Sequence, residues 1–191
     1  MKKLVAFFAA LLGAATLTAD DAVIHRISVK PERILVAFYS WSGNTRYAAQ
    51  IIAKQCGGTL CEIVPEKAYS TDYRACLKES RIECRDKLAR PIKKPEIDFS
   101  KYDLIIVGTP NWYGTMAPPV RSFLAQAQLT GKTVTLFVTH GTGGMQNCEK
   151  DFREACGTAA RVIAGDHYFG KKIKESDAEL KKFVTDRIEV K

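Results

Sequence analysis

The sequence lacks several patterns that would assign a chain of 191 residues to a common functional class. It has no G-x-x-x-x-G-K-[ST] phosphate loop, which argues against a nucleoside triphosphatase. Its six cysteines include no C-x-x-C pair and none is spaced with a histidine as zinc ligands are, which argues against thioredoxin-like chemistry and a zinc centre. It also has no nucleic-acid-binding module. We therefore interpret the net charge of +8 as a solvated basic surface, which could attract acidic partners or anionic lipids.

Residues 1–19 have the three-part layout of a secretory signal peptide. Two lysines precede an apolar core, Leu4 to Leu12, and small residues follow it. This core is short for a membrane span, but an uncleaved anchor stays open as the alternative because Leu17 stands where cleavage prefers a small residue. We predict an exported protein of the bacterial periplasm, with no stable membrane insertion after cleavage. The remaining chain divides into an N-terminal extension over 20–31 and one folded domain over 32–191.

Export would place the six cysteines in an oxidising compartment, where an even number permits disulfides. Cys56 and Cys61 flank a Gly-Gly turn and form the best placed local pair. The other four cysteines form two sets, each with its two members about 12 Å apart along a predicted helix, which is too far for a bridge within a set. Cross-pairing between the sets and buried free thiols both stay open. The two sets are Cys76 with Cys84 and Cys148 with Cys156.

Apolar runs of strand length alternate with helical segments along the chain. The predicted strands cover residues 33–39, 59–64, 102–108 and 133–141, with a weaker pattern over 159–169. The predicted helices cover residues 44–56, 71–89, 118–128, 146–156 and 176–190. Continuous apolar runs fit strands that are buried on both faces. The alternation therefore predicts an α/β fold, namely a three-layer, doubly wound parallel sheet of five strands.

Three loops follow strands of this predicted sheet, where ligands bind in open parallel sheets. They are "SWSGNT" after the first strand, "TPNWYGTMAPP" after the third and "THGTGGM" after the fourth. The first loop combines polar side chains, a turn at Gly43 and the unpaired N–H groups of a helix start, so it can hold a phosphate without a lysine. The alternative is a helix cap formed by Ser42 or Asn44, without a ligand.

The second loop places two large aromatic residues directly after an apolar strand. Trp112 and Tyr113 lie between Gly108 and Gly114, in a segment expected at the surface. Such rings either cover the core or provide a stacking surface for a planar ligand. A phosphate site beside a stacking surface suits a ligand with a phosphate at one end and a flat ring at the other.

These segments resemble a known family. "YSWSGNT" resembles the phosphate loop of flavodoxin-like proteins, a Ser/Thr-x-Ser/Thr-Gly-x-Thr pattern after the first strand. "YDLIIVGTPNWYGTMAPPVRSFL" and "GKTVTLFVTHGTGG" are similar to the second and third flavin-binding loops with their leading strands. The likeness covers residues 32–168 and is greater to exported bacterial flavodoxin-like proteins than to the acidic electron shuttles. It implies the strand order 2-1-3-4-5 and flavin mononucleotide (FMN) as the cofactor.

The resemblance also implies which residues hold FMN. The phosphate would lie on Ser40, Ser42, Gly43, Asn44 and Thr45, with Trp41 over the ribityl chain or turned aside. One side of the isoalloxazine ring would be bordered by Pro110, Asn111, Trp112, Tyr113 and Gly114. Its pyrimidine edge would be bordered by Thr139, His140, Gly141, Thr142, Gly143 and Gly144 through backbone N–H groups.

The third loop departs from the electron shuttles because it has no aromatic residue, which predicts an open flavin face. We predict an FMN-binding redox protein that carries electrons or reduces a small acceptor, with its redox donor and acceptor unidentified. The alternatives are an NAD(P)H- or quinone-linked reductase with an open flavin face, and a non-redox module that binds a phosphorylated ligand or a partner.

His140 is a candidate proton donor or a backbone hydrogen-bonding residue, and His167 is expected to pack. The lysines expected to form a solvated face are Lys171, Lys172, Lys181 and Lys182.

Overall fold

A computed structural model describes residues 26–191 of the chain. The predicted signal peptide, the uncleaved-anchor alternative and residues 20–25 of the predicted extension lie outside the described residues. Within 26–191, no helix is long and apolar enough to cross a membrane.

The strands are β1 Ile27–Val29, β2 Ile34–Phe38, β3 Thr59–Glu62, β4 Leu104–Trp112, β5 Thr115–Met116, β6 Thr133–His140, β7 Arg161–Val162, β8 Asp166–Phe169 and β9 Ile188–Val190. The α-helices are α1 Asn44–Cys56, α2 Tyr73–Arg85, α3 Pro118–Gln126, α4 Cys148–Cys156 and α5 Asp177–Arg187, and 3-10 helices cover Pro31–Arg33, Phe99–Lys101 and Gly170–Glu175.

The main sheet has the predicted parallel arrangement. Its strands follow the order β3-β2-β4-β6-β7, which is 2-1-3-4-5 when its strands are counted along the chain, so the predicted fold class is confirmed. β7 pairs with the beginning of β6, and β8 pairs with its end. Together they replace the single fifth strand predicted over 159–169.

The sheet separates two apolar cores. Side chains alternate across a strand, so Leu35 joins the core beneath α3 and α4, while its neighbour Val36 joins the core beneath α1 and α5. Ile105 and Ile106 of β4 divide in the same way. All four side chains are fully buried, as expected for central strands covered by helices on both faces.

A second, two-stranded parallel sheet joins the two ends of the described chain. β1 lies in the predicted N-terminal extension and pairs with β9, from Ile27 opposite Ile188 to Val29 opposite Val190. The closing helix was predicted to run to residue 190, but α5 ends at Arg187. The β-branched Ile188 and Val190 favour extended backbone once a partner strand is available, so pairing with β1 outweighs continuation of the helix.

The second loop is a β-hairpin, where a surface loop was expected. β4 continues to Trp112 and pairs antiparallel with β5. The two residues between them, Tyr113 and Gly114, have φ values of 52° and 84°. Positive φ at both turn positions matches the twist of a two-residue hairpin. Gly114 adopts it without strain, but Tyr is an uncommon residue there, so the Tyr-Gly pair gave no hairpin signal in the sequence.

All six cysteines are free thiols, and five of them are buried. The expected bridge between Cys56 and Cys61 is not formed. Cys56 packs in the core beneath α1, whereas Cys61 packs against the core on the opposite face of the sheet. The Gly-Gly turn brings the two residues close in sequence, but the sheet lies between their side chains. The alternative of buried thiols describes the structure better than the bridge does.

A buried carboxylate connects the hairpin with three helical segments. Asp151 of α4 is 2% exposed and lies 2.7 Å from Lys87 Nζ, just beyond the end of α2, and 3.4 Å from Arg121 Nη2 of α3. The hydroxyl of Thr115 in β5 also donates to it. Burial alone would raise the pKa of Asp151, but the hydrogen bonds from Lys87 and Thr115 outweigh burial and hold that pKa below its ordinary value.

We expect Asp151→Asn to lower the free energy of unfolding by about 3–5 kcal/mol, because it leaves the largely buried guanidinium of Arg121 without its carboxylate partner. Because the pKa of Asp151 is lowered in the folded state, its stabilisation is present at neutral pH and is lost as the pH falls through that lowered pKa. Urea unfolding at pH 7 and at acidic pH measures both effects.

Glu154→Gln is the matched control, because Glu154 lies on the same helix and also pairs with Lys87, but at an exposed position. We expect it to cost less than about 1 kcal/mol. Equal losses for the two variants would contradict a special role for Asp151.

Candidate functional site

The first loop, which resembles a phosphate-binding loop, leads directly into α1. No side chain of the described residues caps the start of this helix. α1 begins at Asn44, and Gly43 before it has a φ of 92°, a conformation that disfavours residues with a Cβ. Ser40 Oγ accepts a hydrogen bond from the Gly43 N–H at 3.1 Å, which closes the loop on itself. The alternative of a cap by Ser42 or Asn44 is therefore wrong, and the first N–H groups of α1 are available to an anion.

Thr45 connects this loop to the strand that leads into the third loop. Its side chain is buried, and its Oγ1 lies 2.7 Å from Oγ1 of Thr139, at hydrogen-bonding distance. One of the two hydroxyls donates to the other. Their role in the structure is to fix the spacing between the first and third loops.

A cavity of about 550 Å³ opens where the three loops meet, a volume typical of small-molecule sites. The structure brings ten of the predicted site residues together in its lining: Trp41, Ser42, Asn44, Pro110, Asn111, Trp112, Tyr113, Thr139, His140 and Gly141. Seven other predicted residues lie outside the lining: Ser40, Gly43, Thr45, Gly114, Thr142, Gly143 and Gly144.

Six lining residues were missed by sequence reasoning. Four come from one face of α2, and two come from the start of the last 3-10 helix: Tyr73, Cys76, Leu77, Ser80, Gly170 and Lys171. The spacing of the α2 residues is that of a helix face, so the face itself could have been recognised. Its contact with the site could not, since α2 lies in the long, charged crossover before β4. One contact is a hydrogen bond of 2.8 Å from the Tyr113 hydroxyl to the Leu77 carbonyl.

The two adjacent aromatic residues of the hairpin have different environments. The ring of Trp112 meets Tyr69 and Tyr39 edge-on, at centroid distances of 4.9 and 5.6 Å. Trp112 therefore both packs against the core and lines the cavity, which combines the two alternatives left open by the sequence. Tyr113 at the tip of the hairpin is 51% exposed. Of the two rings, Tyr113 is the one with room to meet a ligand face.

Trp41 is turned toward the crossover segment. Its Nε1 donates to the carbonyl of Ser70 at 2.9 Å, and its ring centroid lies 6.1 Å from that of Tyr73. This contact holds the start of α2 beside the first loop. The wall of the cavity on this side is aromatic and carries no charge.

Two histidines meet at the end of β6. Parallel pairing of β6 with β8 places Nε2 of His140 at 3.1 Å from Nδ1 of His167, so one nitrogen donates and the other accepts. Burial, followed by the nearby His167, lowers the pKa of His140. His167 was expected to pack, but it is exposed, and its contact here is the hydrogen bond to His140, a residue of the cavity.

Comparison with known proteins assigns the family. The family described as Flavodoxin matches residues 33–186. The chain belongs to the flavodoxin family. This result confirms the resemblance inferred from the loop motifs.

Solved structures of flavodoxin-like proteins are similar over nearly their full length. A flavoprotein of Lactobacillus acidophilus in complex with FMN has a TM-score of 0.64 and 26% identity, covering 80% of this chain and 98% of that chain. A candidate flavoprotein of Bacteroides eggerthii has a TM-score of 0.66 and 26% identity, covering 79% and 97%.

A curated relative of Rhizobium meliloti is named NAD(P)H dehydrogenase (quinone) 3. It is 32% identical over an alignment of 133 residues, and the match covers 60% of this chain. The match spans 57% of the length of that relative.

We expect the pKa of His140 to lie below the ordinary value of about 6.5. The folded state then prefers the neutral ring, so this group lowers stability as the pH falls below the pKa that it has in the unfolded chain. His167→Asn removes the like-charged neighbour and should raise the pKa of His140. NMR titration of the imidazole signals in the cofactor-free wild type and in the variant measures the pKa of His140 in each. A pKa of His140 that does not change in the variant would show that the two rings titrate independently.

Proposed function

We propose that this protein is an FMN-dependent oxidoreductase that passes electrons from a reduced nicotinamide nucleotide to a small planar acceptor such as a quinone. The predicted FMN-binding redox function is confirmed by family membership and by a relative solved in complex with FMN. The finer assignment, reductase rather than electron carrier, is our proposal. The name of the curated relative, NAD(P)H dehydrogenase (quinone), supports it.

The observation that carries this proposal is the open side of the cavity at the third loop. Gly141 lines the cavity there, and residues 141–144 contribute no aromatic side chain. A flat ring bordered by Tyr113 on the hairpin would therefore keep a face accessible beside this loop. A second planar molecule can stack on an exposed ring face, which is the geometry that electron transfer to a small acceptor requires.

Some residues of the site would hold the cofactor phosphate, and another fixes the loops around the cavity. The uncapped N–H groups of α1 and the side chains of Ser42 and Asn44 would hold the phosphate. Asn111 acts indirectly, since its amide donates to the Gly144 carbonyl at 2.8 Å and its carbonyl accepts from the Gly114 N–H at 2.9 Å. It thereby locks the hairpin against the third loop. FMN supplies the redox chemistry when bound, and the protein supplies its position and environment.

Export is part of the proposal. It is supported by the signal-like layout of residues 1–19, with two lysines, an apolar core and small residues. The nicotinamide nucleotide and the acceptor would then have to reach the protein in the periplasm. Fractionation of cells that express the full chain tests this, because retention of the protein in the cytoplasm would contradict it.

Residues 20–191, purified without cofactor, should bind FMN in a ratio of about one to one, with quenched flavin fluorescence. NADH or NADPH should then reduce the bound flavin, and a soluble quinone should reoxidise it, as followed by the visible spectrum under anaerobic conditions. If FMN binds but neither nucleotide reduces it, the assignment as a reductase is wrong and the protein is better described as an electron carrier. Absence of FMN binding by the folded protein would refute the cofactor as well.

Tyr113→Ala should weaken FMN binding by about 1–3 kcal/mol, on the scale measured for bases stacked on aromatic side chains. Tyr113→Phe is the matched control, because it keeps the ring and removes only the hydrogen bond to Leu77. We expect the Phe variant to stay within about 1 kcal/mol of the wild type. Titration by fluorescence quenching gives both affinities. Equal losses in the two variants would assign the effect to the hydroxyl and not to stacking.

A further inference from the structure

The cavity lining contains one lysine, and it comes from none of the three ligand-binding loops. Lys171 is the second residue of the 3-10 helix Gly170–Glu175, which directly follows β8. The sequence predicted a solvated role for it, together with three other lysines. Its side chain is exposed as expected, but the structure also places it in the wall of the cavity, which residues of the first loop line as well.

A close backbone contact fixes this placement. Gly170 packs so tightly that a Cβ atom at this position would lie 2.6 Å from Asn44 Nδ2 and 3.3 Å from the His140 carbonyl oxygen. A side chain at this position would displace the Asn44 amide and press on the His140 carbonyl, so the glycine allows the 3-10 helix to lie directly against Asn44 at the start of α1. Since Gly170 permits the contact, the next residue, Lys171, is held near the helix start at which the phosphate would be bound.

The phosphate site otherwise lacks a positive side chain. An FMN phosphate carries a charge of roughly −1.5 to −2 at neutral pH, by analogy with other phosphate monoesters. The N-terminus of α1 offers the equivalent of only about half a positive charge. Arg46 in the first turn of α1 is already paired with Glu62. In the part of the chain that the structure describes, Lys171 is the only Lys or Arg that lines the cavity, and it has no carboxylate within ion-pair distance.

We propose that Lys171 is a cofactor-binding residue whose ammonium group pairs with the phosphate of FMN and makes the site selective for FMN over riboflavin. This proposal rests on the proposed function, because it requires FMN in the cavity. A lysine suits the role, since its flexible four-carbon stem lets a compact charge reach the phosphate from a neighbouring element. A hydrogen bond between two charged groups is also about twice as strong as one between neutral groups.

The same 3-10 helix provides a matched control. Lys172 follows Lys171 directly and is also exposed, but it does not line the cavity. Exchange of either lysine for glutamine removes one positive charge from the same exposed helix. Both variants have the same net charge. Any difference between their FMN affinities is therefore due to the position of the exchanged lysine.

The experiment measures the dissociation constants of FMN and riboflavin for the wild type, Lys171→Gln, Lys171→Arg and Lys172→Gln, by fluorescence quenching at low and high salt. We expect Lys171→Gln to weaken FMN binding about tenfold, equivalent to about 1.4 kcal/mol, and to leave riboflavin binding unchanged. Lys171→Arg should retain most of the FMN affinity. The difference between wild type and Lys171→Gln should shrink at high salt because screening weakens the ion pair. Lys172→Gln should behave as the wild type.

Three results would overturn the proposal. The first is wild-type FMN affinity in Lys171→Gln; a raised KM for NADPH but not for NADH in that variant would then assign Lys171 to the 2′-phosphate of the nucleotide. The second is an equal loss of FMN affinity in Lys171→Gln and Lys172→Gln. The third is a wild-type protein that binds neither flavin, and this result alone would also refute the proposed function.

Discussion

Burial of three neighbouring strands on both faces is the constraint on which the rest of this protein depends. β2, β4 and β6 place almost no side chain in water, so polar chemistry can begin only where these strands end. Their pairing sets Phe38 opposite Gly108 and Pro110 opposite Thr139. The strand ends therefore lie at one edge of the sheet, and segments that are far apart in sequence form a common cavity. The position of the site is thus a consequence of packing, and its chemistry is added by the loops.

Much of this architecture could be predicted from the sequence, because it follows from long apolar runs. Such runs identified β2, β4 and β6, and the loop motifs identified the strand order. Shorter elements were harder to predict because their conformation depends on a distant partner. β9 is extended only because β1 lies beside it, and residues 188–190 read as part of a helix when taken alone. The hairpin at Tyr113 was missed for a related reason, since the pairing of its strands imposes a backbone conformation that tyrosine does not favour by itself.

The candidate site was predictable to the extent that its residues lie in continuous motifs. Ten predicted residues line the cavity, while Thr45 turned out to be buried against Thr139. The contribution of α2 could not be predicted, since its crossover segment resembles an ordinary charged surface helix. Lys171 was hidden for a different reason. A lysine in a lysine-rich stretch has no distinguishing pattern, and only the contact between Gly170 and Asn44 shows where it is held.

The hydrogen bond between Thr45 and Thr139 has a consequence for how this site can change over evolution. Because each hydroxyl is buried and has the other as its partner, replacing one threonine by an apolar residue strands a polar group in the core. Replacing both together removes that penalty. In homologous chains the two positions should therefore covary, either as a pair of hydroxyl residues or as a pair of apolar residues of similar combined size. Such covariation would link the evolution of two positions, one beside the first loop and one beside the third, that are more than 90 residues apart in sequence.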